Sequence, residues 1–456
     1  MAGIGFELRK LLRSQSYFGL LRAYVYASII SSGPWVFSII GLMATGVLAL
    51  GVVVPSVLIT QFQVTVTYLI MASLVLTGGL QLGFTRWVAD RLFEGRRDDI
   101  GAAYLGVMLV TTAVSGGFGL LVATLAFPGA DVLYRALVVF GCTLLCNLWI
   151  STAFLSGLKN YRLIVLLYAL GYGISVFLSM LARPWGIDGL LAGFLGGQFA
   201  MWVAMLWLVL RNFPVRGPLD LQCFRPGRMY PALLAGGVLY NLGIWSDKLV
   251  FWFDPSTSRP VIGMLRASMI YDLPVFLAYL SVIPGMAVFL VKFETDFVEW
   301  YDAFYRTVRE GGALHDIVRY RERMQNVVRE GIYQILKVQA LTLLSLYTFI
   351  PALFHAIGIS RLYMPLFMVQ AVAASFQVML LAVLNVFYYL DRRRDVVLVT
   401  ATLCALNAAL SLLSIRLGPD FYGYGFAVAV LCALFLGLLL LQSIFRKLEF
   451  RTFMLQ

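Results

Sequence analysis

The sequence predicts an all-α membrane protein of about twelve transmembrane helices, arranged as two bundles of six. Three observations predict it. The chain has 456 residues, of which 61% are hydrophobic and 13% charged; soluble domains average about 45–50% and about 25%. The apolar residues fall in runs long enough to cross a bilayer, roughly 20 residues each. The lysines and arginines alternate between successive loops, as membrane topology requires.

The chain opens with MAGIGFELRKLLRSQS, which lacks the unbroken apolar core and small-residue cleavage site of a secretory signal. Ile4, Leu8, Leu11 and Leu12 share one helical face, opposite Glu7, Arg9, Lys10 and Arg13. An amphipathic helix lying among lipid headgroups is expected there. Apolar spans are then expected over 24–52, 57–82, 100–127, 133–156, 161–182, 188–211, 229–252, 262–291, 332–356, 362–390, 396–415 and 421–445. Trp35, Trp87, Trp185, Trp252 and Trp300 fall near span ends, where indole rings form interfacial belts.

The termini and even-numbered loops carry 27 of the 35 lysines and arginines, and the odd-numbered loops carry 5. Lys248, Arg266 and Lys337 fall inside spans. The positive-inside rule therefore places both termini and the long loop after the eighth span in the cytoplasm. The same alternation explains the net charge of +12 without nucleic-acid binding. The segment 213–228, rich in proline and arginine, separates residues 1–212, with six spans, from residues 229–456, with six more. Two such halves suggest a duplicated transporter with its path near the membrane midplane.

Residues 292–331 form the one sizeable polar loop, a cytoplasmic helical insertion. Phe293, Phe297, Trp300, Tyr301 and Phe304 recur at helical spacing, and Gly311-Gly312 ends the run. This stripe fits either a membrane-hugging connector or a docking surface for a cytoplasmic partner.

No catalytic constellation, phosphate loop or metal-ligand cluster is present, so neither an enzyme nor a cofactor is expected. His315 and His355 are far apart, and Asp98-Asp99 adjoins Arg96-Arg97 as a solvated charge cluster. Cys142, Cys146, Cys223, Cys404 and Cys432 read as small apolar fillers rather than a disulfide framework. The informative residues are charges within spans, which cost roughly 2.5–3.5 kcal/mol each at the bilayer centre on insertion scales and so pair or face water. Asp247 and Lys248 lie in the seventh span, Arg266 and Asp272 in the eighth. Pairing of Asp247 with Arg266 and of Lys248 with Asp272 is expected, either as a structural network or as a substrate path. Tyr240, Trp245 and Tyr271, with Tyr24, Tyr26 and Tyr279, are internal aromatics suited to stacking on sugar faces. Kinks are expected at Gly33-Pro34, Pro274 and Pro284.

The opening MAGIGFELRKL, the following GLLRAYVYASIISSGPW, the SDKLVFWF of the seventh span and the FETDFVEWYDAFYR after the eighth resemble the PelG family, the inner-membrane transporters of the Pel exopolysaccharide of biofilms. The resemblance runs the whole length. That family is similar to the multidrug/oligosaccharidyl-lipid/polysaccharide exporter superfamily, whose members place two six-helix bundles around a central cavity. An Asp-Lys pair at the position of Asp247-Lys248 recurs in its polysaccharide flippases. The resemblance implies export of an amino-sugar polymer from a cytoplasmic glycosyltransferase to the periplasm, alongside other inner-membrane Pel components and membrane lipids. A flippase of lipid-linked oligosaccharide, a drug antiporter and a scaffold for the glycosyltransferase are the alternatives. A membrane enzyme would need a cluster of His, Asp or Glu at one face, and that is missing.

Overall fold

A computed structural model describes residues 17–49, 55–158, 161–215, 217, 219–225, 229–357 and 359–454. The expected N-terminal interfacial helix, with Ile4, Leu8, Leu11 and Leu12, lies outside the described residues, as do 216, 218 and 226–228 of the linker. By its contacts the chain divides into two compact units, one of Gly33–Met269 and one joining the residues up to Ser32 to those from Ile270 onward.

The first unit holds the second half of α1 (Tyr17–Ala49), then α2 (Val57–Phe93), α3 (Asp98–Ala126), α4 (Val132–Gly157), α5 (Tyr161–Ala182), α6 (Gly186–Asn212) and α7 (Pro231–Phe253). A two-stranded antiparallel hairpin follows, β1 (Arg259–Ile262) and β2 (Leu265–Ala267), with Arg259 opposite Ala267. Among these helices α2 packs on α4 and α7, α3 on α4, and α6 on α4 and α5. Phe84, Tyr104 and Phe154 form the aromatic centre, Phe84 and Phe154 stacking at 5.8 Å. Tyr104 shares its hydroxyl with Ser151 at 2.7 Å, which satisfies both buried groups.

The α5–α6 pair shows why small residues recur in this sequence. A β-carbon on Gly193 would strike the backbone of Ser179, and one on Gly197 the backbone of Ser175. The bare glycines let the helices touch, and Ser175 and Ser179 then donate to the carbonyls of Phe194 (2.9 Å) and Leu190 (3.0 Å). With lipid on the outside, such contact supplies the dispersion and hydrogen bonding that hydrophobic burial supplies in water. The reversal into α6 turns on Gly186 at φ +65, open only to glycine without strain.

The second unit holds α8 (Met269–Leu280), α9 (Ile283–Val291), a π turn (Lys292–Phe297), α10 (Val298–Arg309), α11 (Leu314–Ile357), α12 (Met364–Tyr389), α13 (Arg393–Leu417), α14 (Tyr424–Arg446) and α15 (Leu448–Met454). Helix α14 packs on α12 and α13, and α11 packs on α9, α10 and α12. At 44 residues, α11 runs for about 66 Å, about twice a hydrocarbon core. Its polar first part pairs Arg321 with Glu449 of α15 at 3.2 Å.

Nine helices among the described residues are long and apolar enough to cross a membrane, or ten if the bent pair α8 with α9–α10 forms one span. The expected twelve differ for two reasons. The run 162–212 counts once, although it holds both α5 and α6, and α7, which carries Asp247 and Lys248, is not among the nine. The expected span 262–291 begins later, because Arg266 lies in β2 and the helix starts only at Met269. The units also divide away from 213–228. Helix α7 groups with α2 because their backbones meet, a β-carbon on Gly237 striking the backbone of Gly78.

Candidate functional site

The centre of interest in the first unit is the last third of α7. Asp247 is 0% exposed and Lys248 3%. The ammonium of Lys248 lies 3.2 Å from both carboxylate oxygens of Asp247 and donates to the carbonyl of Ile244 at 3.0 Å. It also sits 5.6 Å from the ring centre of Trp245, a cation–π distance. Trp245 is 6.0 Å from Trp252, which stacks on Tyr68 of α2 at 4.5 Å. A buried ion pair is thus walled by indole and phenol rings. Tyr240, two turns earlier on α7, is half-buried.

The expected pairing of Asp247 with Arg266 is corrected. Adjacent helical residues point about 100° apart, yet the long stem of Lys248 folds back over its own helix and reaches Asp247. Arg266 is drawn elsewhere by its hairpin, donating to the hydroxyl (2.9 Å) and carbonyl (3.1 Å) of Ser258. The hairpin is tied down by backbone: Gln61 donates to the carbonyl of Val261 (3.1 Å), Tyr68 to that of Arg266 (2.8 Å), and the Met264 amide to Ala126 (3.0 Å). Asp272 and Tyr271 fall in the second unit, in the first turn of α8. Tyr271 is buried and accepts from the Gln370 side chain at 2.7 Å.

The expected kinks fare differently. Helix α1 continues through Gly33 and Pro34, and the division between the units passes between Ser32 and Gly33. Ser31 and Ser32 donate to the carbonyls of Ala27 and Ser28, not to the Ile30 carbonyl that Pro34 leaves without its helical donor. Pro274 lies within α8 without ending it. Pro284 opens α9 at a bend of 42°, where its missing N–H costs nothing.

The aromatic stripe after the eighth span is also corrected as a docking surface. Phe293, Phe297 and Phe304 are each 0% exposed. Phe293 packs against Gly331, and Phe297 meets Tyr389 edge-on at 5.6 Å. Trp300 lies 6.1 Å from Tyr320 and carries the Arg323 guanidinium at 5.8 Å. Only Trp300 and Tyr301 keep partial exposure, so the stripe is the core of its own unit. Trp87 and Trp252 are likewise buried.

The sequence reading missed Glu294. It lies in the π turn, accepting from Asn385 (3.2 Å) and from the Tyr389 hydroxyl (3.0 Å). Its neighbours Lys292 and Asp296 pair with one another at 2.9 Å. A carboxylate inside an aromatic run was the available signal. Among the described residues no group of three or more His, Cys, Asp or Glu could hold a metal.

The profile of a family described as "PelG: Putative exopolysaccharide Exporter (EPS-E)" matches residues 1–453. No curated protein sequence matches the chain. Solved structures do match its fold. An outward-facing multidrug resistance MATE transporter of the MOP superfamily is 13% identical, with a TM-score of 0.65 over 93% of this chain and 96% of that one. A MOP superfamily transporter from Pyrococcus furiosus, described as having reversed binding-pocket polarity, is 12% identical, with a TM-score of 0.64 over the same shares. A MATE in its bent conformation is 14% identical, with a TM-score of 0.61 over 93% and 95%.

Proposed function

The chain belongs to the PelG family of exopolysaccharide exporters, and from that premise we propose that it carries the Pel amino-sugar polymer from the cytoplasm across the bacterial inner membrane to the periplasm. Both termini lie in the cytoplasm, following the charge alternation of the loops. A cytoplasmic glycosyltransferase supplies the growing chain, and other inner-membrane components hold the two together. The single observation that carries the reading is the family match over residues 1–453 of a chain with a MATE-like transporter fold. Residues 1–212 and 229–456, joined by 213–228, are its two halves in sequence order, and α7 of the second half packs on α2 of the first.

Asp247, Lys248, Trp245, Tyr240 and Arg266 contribute to the substrate path in the first unit, and Tyr271 and Asp272 contribute to it in the second. A charged pair buried among aromatic rings suits a hydrated polymer. The rings offer faces to sugar C–H groups, and the pair can open to exchange its hydrogen bonds for those of sugar hydroxyls or amines. Gly33-Pro34, Pro274 and Pro284 serve as the flexing points of the helices that carry this path. Trp300 and Tyr301, the stripe residues that keep some exposure, remain the contact offered to the glycosyltransferase.

The test is polymer capture by inverted membrane vesicles containing this chain, its membrane partners and the glycosyltransferase. Sugar nucleotide is added outside, external polymer is digested, and the protected fraction is measured. Protected polymer that depends on this chain is the expected result. Polymer made equally but never protected would refute export and favour a scaffold.

A further inference from the structure

We propose that Glu294, Asn385, Tyr301 and Tyr389 form a sugar-binding subsite in the second unit, taking one pyranose ring of the transported chain where it enters. The proposal rests on the export reading and on its orientation, which puts the α9–α10 junction at the cytoplasmic side.

Four observations converge. First, the backbone departs from α-helix at this point, in the six-residue π turn Lys292–Phe297. Such turns occur mostly as single insertions at functional sites, since the wider ring forfeits helical packing. Second, Glu294 sits in that turn, and its two recorded donors, the Asn385 amide and the Tyr389 hydroxyl, are both neutral. A carboxylate has about four lone-pair positions, so its charge is uncancelled and it retains room for further donors. The nearby charges are engaged elsewhere: Asp296 with Lys292 at 2.9 Å, and Asp391 with Arg393 at 2.6 Å.

Third, the Asn385 carbonyl oxygen beside it is buried and accepts no hydrogen bond. A buried acceptor without a donor is costly and rare. A hydroxyl arriving beside Glu294 would satisfy it. Fourth, the site is walled by rings. Tyr301 lies 5.5 Å from Tyr389 and 4.6 Å from Tyr305, and all three keep partial exposure. A pyranose presents two chemistries to such a site, hydroxyls that donate and a face of C–H bonds that packs on an aromatic ring. A partly buried carboxylate beside partly exposed tyrosines answers both.

The experiment measures calorimetric binding of a β-linked N-acetylhexosamine hexasaccharide to the purified full-length chain, with vesicle export run in parallel. Glu294→Gln keeps the shape and removes the charge, Tyr301→Ala removes a platform, and Tyr389→Phe removes one hydroxyl while preserving the ring. A hydrogen bond to a charged group contributes about 1.5–3 kcal/mol, so binding should weaken about tenfold or more in Glu294→Gln, with a comparable loss in Tyr301→Ala. Melting temperatures verify that each variant is folded, and Tyr389→Phe decides the matter should either of the others unfold. Unchanged affinity in the folded variants overturns the subsite. A wild-type chain that exports polymer but binds no hexasaccharide also overturns it while leaving export standing. A chain that neither exports nor binds removes both readings.

Discussion

Asp247 and Lys248 satisfy each other so closely that neither can be changed alone without consequence. In Asp247→Asn the Lys248 side chain would remain buried and lose the carboxylate that balances its charge, while keeping the Ile244 carbonyl and the Trp245 ring. Removing one partner of a buried pair costs about 3–5 kcal/mol, whereas replacing both by apolar residues is often neutral. The expected outcome is therefore a lower melting temperature and less export in Asp247→Asn, and a restored melting temperature without restored export in the Asp247→Leu/Lys248→Met double variant. Export restored along with stability would make the pair a structural element. The importance of these residues was legible in the sequence, because charges within spans are costly. Their partners were not, because sequence order does not show that a lysine stem will fold back over its own turn. Cys223 offers a separate check on burial in the linker. Burial, with Asp220 adding to it, pushes its thiol up to about 12, so the reactive thiolate is scarce at neutral pH. Maleimide should label Cys223 in denatured protein and leave it unlabelled in folded protein at pH 7; rapid labelling of the folded chain would show that the 213–228 segment opens.

At the scale of the element, the helices of this protein are held by contacts too close for any side chain but hydrogen. Gly193→Leu should separate α5 from α6, break the serine bonds behind it and abolish accumulation of the protein. Ser179→Ala removes a single interhelical bond and should cost only about 0.6 kcal/mol, with near-normal protein levels. Equal losses in the two variants would contradict a seam governed by backbone approach. The aromatic stripe yields a prediction of opposite sense to the docking idea. Phe304 is fully buried, so Phe304→Ala should destabilise by about 3–5 kcal/mol, read as a lower melting temperature without any partner present. An unchanged melting temperature would return the stripe to the surface. Helical spacing of Phe293, Phe297 and Phe304 was plain in the sequence, yet only Phe304 falls in α10, Phe293 and Phe297 lying in the π turn before it. Periodicity identifies an apolar face but not what covers it, and here the cover is Gly331 of α11 and Tyr389 of α12, far away in sequence.

For the whole molecule, composition and charge alternation were enough to read an all-α membrane protein, because lipid leaves the backbone few ways to cross. The grouping of its helices was less accessible. Hydropathy separates the chain at 213–228, yet the contacts place α7 and its hairpin with the helices before them. The reason lies in short-range detail that hydropathy averages away. Gly78 and Gly237 bring α2 and α7 together at one end, while the Tyr68–Trp252 stack and the Gln61 and Tyr68 bonds to the hairpin backbone join them at the other. A helix fastened at both ends to α2 should travel with it during transport. A cross-link between Gln61→Cys and Val261→Cys, in a background lacking the other cysteines, tests this directly. Gln61 reaches the Val261 carbonyl at 3.1 Å through a side chain two atoms longer than that of cysteine, so a short bis-methanethiosulfonate linker, joined to each thiol by a reducible disulfide, closes the bridge. Linked and reduced vesicles should then export polymer at the same rate. Export that stops on linking and resumes on reduction would mean that α7 parts from α2 in each cycle, with the hairpin acting as a latch between separately moving bodies.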